Sequence, residues 1–243
     1  MAINQCMPLL PRLLSLPLLL LLLLLASCAP LPARNLLAMS STLPLADIIG
    51  DYRVFLDKVF AKALASGIDI NGYSQIDHIC YRTSSVDEYK SVLKELTGTA
   101  PVLGFLLVES MIGGRPIAVV ELHDAIYYGN KYSIKHIEVP SPKAGSAYES
   151  GLEHLEVVLG QPGQRSPVDS KAALLAFAQQ LQARNPLLPL CFKAADKHIN
   201  ADVSLDLDEH TAIKFHMCPI DEVIMLEREM NLVEEVPPHL SVA

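Results

Sequence analysis

The sequence lacks any run of basic residues. Lys and Arg together number 19 against 27 Asp and Glu, so the 243 residues carry a formal net charge of −8. A chain without a Lys- and Arg-rich patch offers no surface for nucleic-acid phosphates or for an anionic membrane. We therefore expect no nucleic-acid partner, and membrane contact only through the N-terminal segment.

Cysteine is also sparse. Cys6 and Cys28 lie near the N-terminus, and only Cys80, Cys191 and Cys218 lie in the body of the chain. An odd, scattered trio is not a disulfide framework, and none of the three has the C-x-x-C spacing of a zinc site. We expect all three to be free thiols that pack as small hydrophobic residues.

The one long apolar run is confined to residues 13–26, LLSLPLLLLLLLLA. It is shorter than the ~20 residues that a membrane-spanning helix needs, and small residues follow it, as in a signal peptide. Residues 1–28 are therefore predicted to be a signal peptide or a lipoprotein leader, in which Cys28 would carry the lipid. We expect an exported or membrane-attached protein; the alternatives are an organelle-directing leader, or a cytoplasmic protein that starts at Met39.

The body begins after residues 29–44, which are predicted to be a patternless linker containing Pro and Ser. Apolar residues then recur at helical spacing from residue 45 to residue 64, before Gly67. This spacing predicts an amphipathic helix that covers one edge of the following sheet.

Two copies of one element order follow, strand-helix-strand-strand-strand. The first covers about residues 75–140 and the second about residues 151–217. Each copy can bury its sheet only against the other, so the pattern predicts one domain over residues 45–230. We expect an α+β fold of two βαβββ modules, followed by a tail at residues 231–243.

Four polar residues occupy similar places in the two copies. His78 and Glu138 lie in the first and last strands of copy one, 60 residues apart, and His154 and His216 lie 62 residues apart in copy two. Because strand side chains alternate between faces, each points away from the apolar side of its strand. If the sheet curls into a cup, the four side chains converge.

Imidazoles with a carboxylate suit Fe(II), Mn(II), Zn(II), Ni(II) or Co(II), so we expect one divalent ion. The lack of thiolates argues against a closed structural zinc site, and open positions would serve water and substrate. The fourth ligand is open between His216, Glu222 and Glu156. Arg82, on the face of His78, is expected to bind an anionic small-molecule substrate; an ion pair with a carboxylate is the alternative.

Several segments resemble the YecM family of the vicinal oxygen chelate superfamily, which also contains glyoxalase I, fosfomycin-resistance proteins and extradiol dioxygenases. The segments are DHICYR (77–82), GGRPI (113–117), YSIKHIEVPSP (132–142), GLEHLEVVL (151–159) and AIKFHMCPIDEVI (212–224). The resemblance covers about residues 45–227 and implies paired modules around a metal held by His78, Glu138 and His154. The superfamily often has a Glu in the last strand of copy two, where this chain has Lys214 and His216.

The resemblance implies a metal that chelates two neighbouring oxygens of a small substrate and stabilises the negative charge that develops there. This favours a metal-dependent isomerase, lyase or oxygenase, with Glu156 or Glu138 as a base. The alternatives are a non-catalytic metal- or ligand-binding module attached to the cell envelope, and a fold whose histidines are only structural. The sequence leaves the metal, the substrate, the reaction and the oligomeric state open.

Overall fold

The structure, a computed structural model, describes residues 44–98, 101–161 and 166–242. The predicted leader, and the predicted linker up to residue 43, lie outside these ranges. Within the ranges, no helix combines the length and the hydropathy that crossing a bilayer requires.

The predicted α+β class is confirmed, because the described residues form five α-helices and one eight-stranded sheet. The helices are α1 Pro44–Ile49, α2 Tyr52–Ala65, α3 Val86–Thr97, α4 Lys171–Arg184 and α5 Ile220–Glu229. The strands are β1 Gln75–Arg82, β2 Gly104–Ile112, β3 Arg115–Tyr128, β4 Tyr132–Pro140, β5 Gly151–Val158, β6 Leu190–Cys191, β7 Asp202–Asp206 and β8 Ala212–His216.

The strand order in the sheet is β2-β3-β4-β1-β5-β8-β7-β6. The first strand of each half pairs in parallel with the last strand of the same half, β1 with β4 and β5 with β8. The halves meet where β1 and β5 pair antiparallel. Side chains of these four central strands therefore lie next to one another at the middle of the sheet.

The predicted leading helix is two helices, which corrects the single helix expected over residues 45–64. Gly50 has a φ of 83° and ends α1, in a conformation that side-chain-bearing residues rarely adopt. Asp51 then caps α2, because its carboxylate accepts hydrogen bonds from the backbone N–H groups of Arg53 and Val54. The apolar spacing continues across this break, so periodicity alone does not reveal it.

The two faces of the sheet differ in chemistry. One face packs against α2 and α3 through an apolar core that includes Leu56, Ile79, Leu93, Leu155 and Phe215. The other face, which we call the cup, carries buried polar side chains instead. These are Asp77, His78, His154, Glu156 and His216. Burying such groups is costly unless they are paired, so the cup is where a function is expected.

The C-terminal residues beyond α5 lie along β2, an edge strand of the sheet. The backbone N–H of Met111 donates to the carbonyl of Glu234 at 3.0 Å, and Lys90 of α3 donates to the carbonyl of His239 at 2.8 Å. The tail therefore covers backbone groups that an edge strand otherwise exposes.

Candidate metal centre

A register shift in the β1–β5 pair brings two successive side chains of β1 into the cup. Ile76 lies opposite Val157 and Ile79 opposite Leu155, so β1 has one more residue than β5 between these points. Such a bulge re-aims side chains that strict alternation would send to opposite faces. Asp77 therefore lies beside His78, and its Oδ2 accepts a hydrogen bond from His78 Nδ1 at 2.8 Å.

A second shift does the same for β5. Cys80 lies opposite His154 and Tyr81 opposite Leu152, so the extra residue here is Glu153. Glu153 Oε1 lies 3.6 Å from His154 Nδ1. Each half thus presents an acidic residue followed by a histidine, with the carboxylate on the Nδ1 side of the ring. This repeated dipeptide was the signal in the sequence that the strand-alternation argument missed.

Three of the predicted ligands come together, and Glu156 joins them. His78, Glu138, His154 and Glu156 each offer a ligand atom, and these atoms all lie within 4.8 Å of one another. Glu156 Oε1 lies 3.4 Å from His78 Nε2 and 3.2 Å from His154 Nε2, and Glu138 Oε2 lies 3.7 Å from His78 Nε2. This N2O2 group matches the side-chain chemistry that zinc and other first-row ions accept.

Burial and hydrogen bonding orient His78 towards the centre of this group. Its Nδ1 is engaged by Asp77, whose carboxylate is held in turn by the backbone N–H of Ile220 at 2.9 Å, at the start of α5. Its Nε2 is buried and has no hydrogen-bond partner among the described residues. A histidine whose Nδ1 is fixed by a carboxylate, with Nε2 left over, is the usual arrangement of a metal ligand.

The pKa values show that the cup holds an excess of negative charge. Burial lowers the pKa of His78, but the carboxylates of Glu156 and Asp77 outweigh it and raise that pKa well above its usual value. Burial raises the pKa of Glu156, but Lys214 and His78 outweigh it and hold that pKa well below its usual value. The pKa of His154 is lowered by burial and by Lys214. The carboxylates are therefore ionised, and the cup favours cations.

The strand register shows which residue of the second half corresponds to Glu138. Glu138 lies opposite the residue two places after His78, and Lys214 lies opposite the residue two places after His154. Lys214 therefore occupies the position equivalent to Glu138, and His216 lies two residues further along β8. Equal spacing counted along the chain does not distinguish the two, whereas the register does.

Lys214 itself lies at the candidate centre. Its Nζ donates to His154 Nε2 and to Glu156 Oε1, each at 2.8 Å. Because His154 Nε2 accepts this hydrogen bond, its lone pair points into the group of ligand atoms. The ammonium is a resident cation at the place where a carboxylate ligand would otherwise stand.

His216 lies in a neighbouring group rather than in the four-residue one. Its Nε2 is 3.4 Å from Asp77 Oδ2 and 3.7 Å from Glu156 Oε2, and its Nδ1 lies 3.2 Å from the Asn200 side-chain oxygen. Glu222, the other alternative, belongs to none of the candidate ligand groups among the described residues. The geometry therefore places Glu156, and neither His216 nor Glu222, beside the other three.

Two further predicted residues can be placed. Arg82 forms an ion pair with Glu153, and its guanidinium lies 4.4 Å from the centre of the Tyr148 ring. Cys80 is buried and donates to Glu138 Oε1 at 3.5 Å. Burial and the charge of Glu138 raise the pKa of the Cys80 thiol well above its usual value, so it is a neutral thiol and not a ligand.

Known proteins with the same pattern are found among bacteria. Protein YecM of Escherichia coli (strain K12) is 26% identical over 189 residues, which cover 76% of this chain and 94% of that protein. An uncharacterized protein of Haemophilus influenzae (strain ATCC 51907 / DSM 11121 / KW20 / Rd) is 30% identical over 109 residues, 45% of this chain and 54% of that protein. A solved structure described as Structural Genomics, Protein EC4020 superposes with a TM-score of 0.58 at 26% identity, over 76% of this chain and 93% of that one.

The family assignment rests on nearly the whole described body. A family model described as YecM protein matches residues 44–227, the same stretch that contains the sheet, the cup and α5 up to its last turn. The chain belongs to the YecM family.

Proposed function

We propose that this chain is a metal-binding protein of the vicinal oxygen chelate type, in which His78, Glu138, His154 and Glu156 hold one divalent ion. The observation that carries the proposal is the buried His78 Nε2, which lacks a hydrogen-bond partner among the described residues and faces two carboxylates. The element order that repeats from β1 to β4 and from β5 to β8 supports two related βαβββ modules.

The residues fit such an ion on one condition, which concerns Lys214. Its ammonium contacts two of the four ligand atoms, so it must withdraw when an ion binds. The Lys214 side chain is 26% exposed and Glu138 is 17% exposed, whereas His78 is 1% exposed. The open side of the centre is therefore at Glu138 and Lys214, and the lysine has solvent to move into.

We propose that the ligand is a small molecule with two adjacent oxygens. The bound ion would supply Lewis acidity to those oxygens, as in isomerases, lyases and oxygenases. Glu156 is the proposed base, but the ammonium that keeps it ionised also lowers its basicity. Proton abstraction by Glu156 therefore requires that Lys214 be displaced, and with Lys214 in place Glu156 is better suited to ligation.

A non-catalytic binding module is the second candidate, and Lys214 favours it. A lysine at the position equivalent to Glu138 replaces a negative ligand by a positive group, which weakens metal activation of a substrate. From the N-terminal apolar run alone we also propose export or membrane attachment, with Cys28 as the lipidated residue in a lipoprotein.

The test is the metal content of the purified full-length chain, measured by elemental analysis after dialysis. One ion per chain is expected, with loss of the ion in His78→Ala and in His154→Ala. His239→Ala, in the exposed tail, is the matched control and should keep the ion. A folded wild-type protein that binds no divalent ion, or binds it equally without His78 and His154, contradicts the proposal.

The two candidates are separated by turnover. The metal-loaded protein would be assayed against dicarbonyl, diol and catechol compounds, with metal-free protein as the blank. Metal-dependent conversion of any of them favours the enzyme, whereas binding without conversion favours the module.

A further inference from the structure

We infer that the open side of the centre holds an anion subsite, formed by Arg115 with Arg82 and Tyr148 beside it. The ligand would then be a carboxylate or phosphate compound that also carries two adjacent oxygens. The adjacent oxygens rest on the proposed function, whereas the anion subsite rests on its own contacts and can be tested without a metal.

Arg115 lies at the edge of the cup, on the same face as Glu138. It is the first residue of β3, and Val119 of the same strand lies opposite Glu138 in the neighbouring strand β4. Opposite residues in an antiparallel pair share a face, and so do residues two or four apart in one strand. The Arg115 side chain is therefore on the cup side, where one of its terminal nitrogens donates to the Ser141 carbonyl at 3.2 Å.

The guanidinium of Arg115 is only partly satisfied. Its Nε is buried without a hydrogen-bond partner, and no carboxylate of the described residues lies within ion-pair distance of it. Burial, and then the neighbouring charge of Arg82, lower the pKa of Arg115, although it remains a cation. A half-buried guanidinium beside a second one is unfavourable without an anion, so its placement points to a ligand that supplies the missing charge.

Arg82 and Tyr148 form the neighbouring wall. Arg82 is already neutralised by Glu153 and stacks on the Tyr148 ring. The pKa of the Tyr148 hydroxyl is lowered, first by a hydrogen bond with Ser146 and further by the charges of Arg115 and Arg82. Arg115 is therefore the free cation of the group, and Tyr148 is the hydroxyl that both guanidiniums influence.

The surrounding space suits a small molecule. A cavity of about 590 Å³ opens beside Arg82, Tyr148 and Glu153. Its far wall is acidic, with Asp206, Asp208 and Glu209. An anion that enters is therefore repelled from that wall and attracted towards the arginines, on a protein whose formal net charge is −8.

The chemical class follows from the guanidinium. Its planar fork of N–H donors matches two oxygens of a carboxylate or a phosphate, and such charge-assisted pairs are the stronger hydrogen bonds in proteins. Arg115 also interacts electrostatically with Glu138 of the candidate metal group, so one small molecule can reach both places.

The first experiment uses the full chain stripped of metal by a chelator. Its midpoint of thermal unfolding is followed against sodium phosphate and sodium acetate, with sodium chloride at matched ionic strength as the reference. Phosphate, acetate or both should raise the midpoint in the wild type. We expect about tenfold weaker apparent binding, or none, in Arg115→Gln, and an intermediate effect in Arg115→Lys, which keeps the charge but loses the fork. Arg53→Gln, an exposed arginine of α2, is the control and should match the wild type.

The second experiment uses metal-loaded protein and three probes with the same adjacent oxygens. Catechol is neutral, 3,4-dihydroxybenzoate adds a carboxylate and 3,4-dihydroxyphenylphosphonate adds a phosphonate. A charged probe should bind about 10- to 100-fold more tightly than catechol in calorimetric titration, and Arg115→Gln should remove that gain while leaving catechol binding unchanged. The tighter of the two charged probes identifies the preferred group.

The outcomes separate the two proposals. If the metal-free wild type responds to neither anion, or Arg115→Gln responds as the wild type does, the anion subsite is overturned whatever the metal does. If the metal-free response depends on Arg115 but no catechol binds to the metal-loaded protein, the subsite stands and the chelating function fails.

Discussion

Replacing Lys214 by methionine should tighten divalent-metal binding. The Nζ of this lysine occupies two of the four candidate ligand atoms, His154 Nε2 and Glu156 Oε1, each at 2.8 Å. An arriving ion must break both contacts. The backbone of Lys214 is fixed in β8 opposite Glu156, so the displaced ammonium stays close to the ion. Methionine has a similar volume and no charge, so it removes this competition.

The size of the effect follows from Coulomb's law. An ammonium about 7 Å from a divalent ion, at an effective dielectric constant of about 40 for a partly exposed side chain, opposes binding by roughly 2 kcal/mol. That free energy corresponds to about a 30-fold change in Kd. Methionine also leaves Glu156 without its ammonium partner, which makes the metal-free state less favourable and acts in the same direction.

The assay is a Zn²⁺ or Mn²⁺ titration at neutral pH in competition with a chromophoric chelator. Lys135→Met is the matched control, because Lys135 is an exposed lysine of β4. Thermal unfolding of each variant verifies that the fold is retained. Metal binding that is unchanged or weaker in a folded Lys214→Met protein refutes the reasoning, since it shows that the ammonium does not compete with the ion.

Three further predictions concern the same centre and the sheet around it. Asp77→Asn should weaken metal binding by about 10- to 100-fold, because it loses the carboxylate that orients His78; an unchanged Kd in the same chelator titration would contradict this. Metal affinity should rise with pH and level off above the raised pKa of His78, because a proton on His78 competes with the ion below that pKa; a Kd that stays constant over this pH range would contradict it. Gly104→Ala should destabilise the fold by more than about 1 kcal/mol, since the added Cβ would lie 2.3 Å from the Glu121 carbonyl oxygen. Denaturant unfolding measures this loss, with Gly72→Ala, which meets open space, as the control.

Local patterns in the sequence were sufficient for the order of elements and for part of the candidate centre. The apolar periodicities predict the strands and helices, because each depends on neighbours only a few residues away. The alternation within single strands places His78, Glu138 and His154 on the polar face, and the structure brings these three together. They remain predicted ligands until an ion is measured.

Other features depend on which strand lies beside which. The bulges that turn Asp77 and Glu153 into the cup exist only in the pairing of β1 with β5, whose residues are distant in the sequence. The equivalence of Lys214 to Glu138 is likewise a matter of register with the neighbouring strand. Counting along the chain favoured His216, because the separations of 60 and 62 residues were nearly equal.

The sequence by itself determined the α+β class, the repeated order of elements and the chemical types of the ligands. Only the tertiary structure decided that a lysine stands at the fourth position, that two acidic residues orient the histidines and that Arg115 lies at the entrance without a carboxylate partner among the described residues. The physical reason is that side-chain direction in a strand follows from its own alternation only while the ladder is regular. Where the ladder shifts, the partner strand sets that direction.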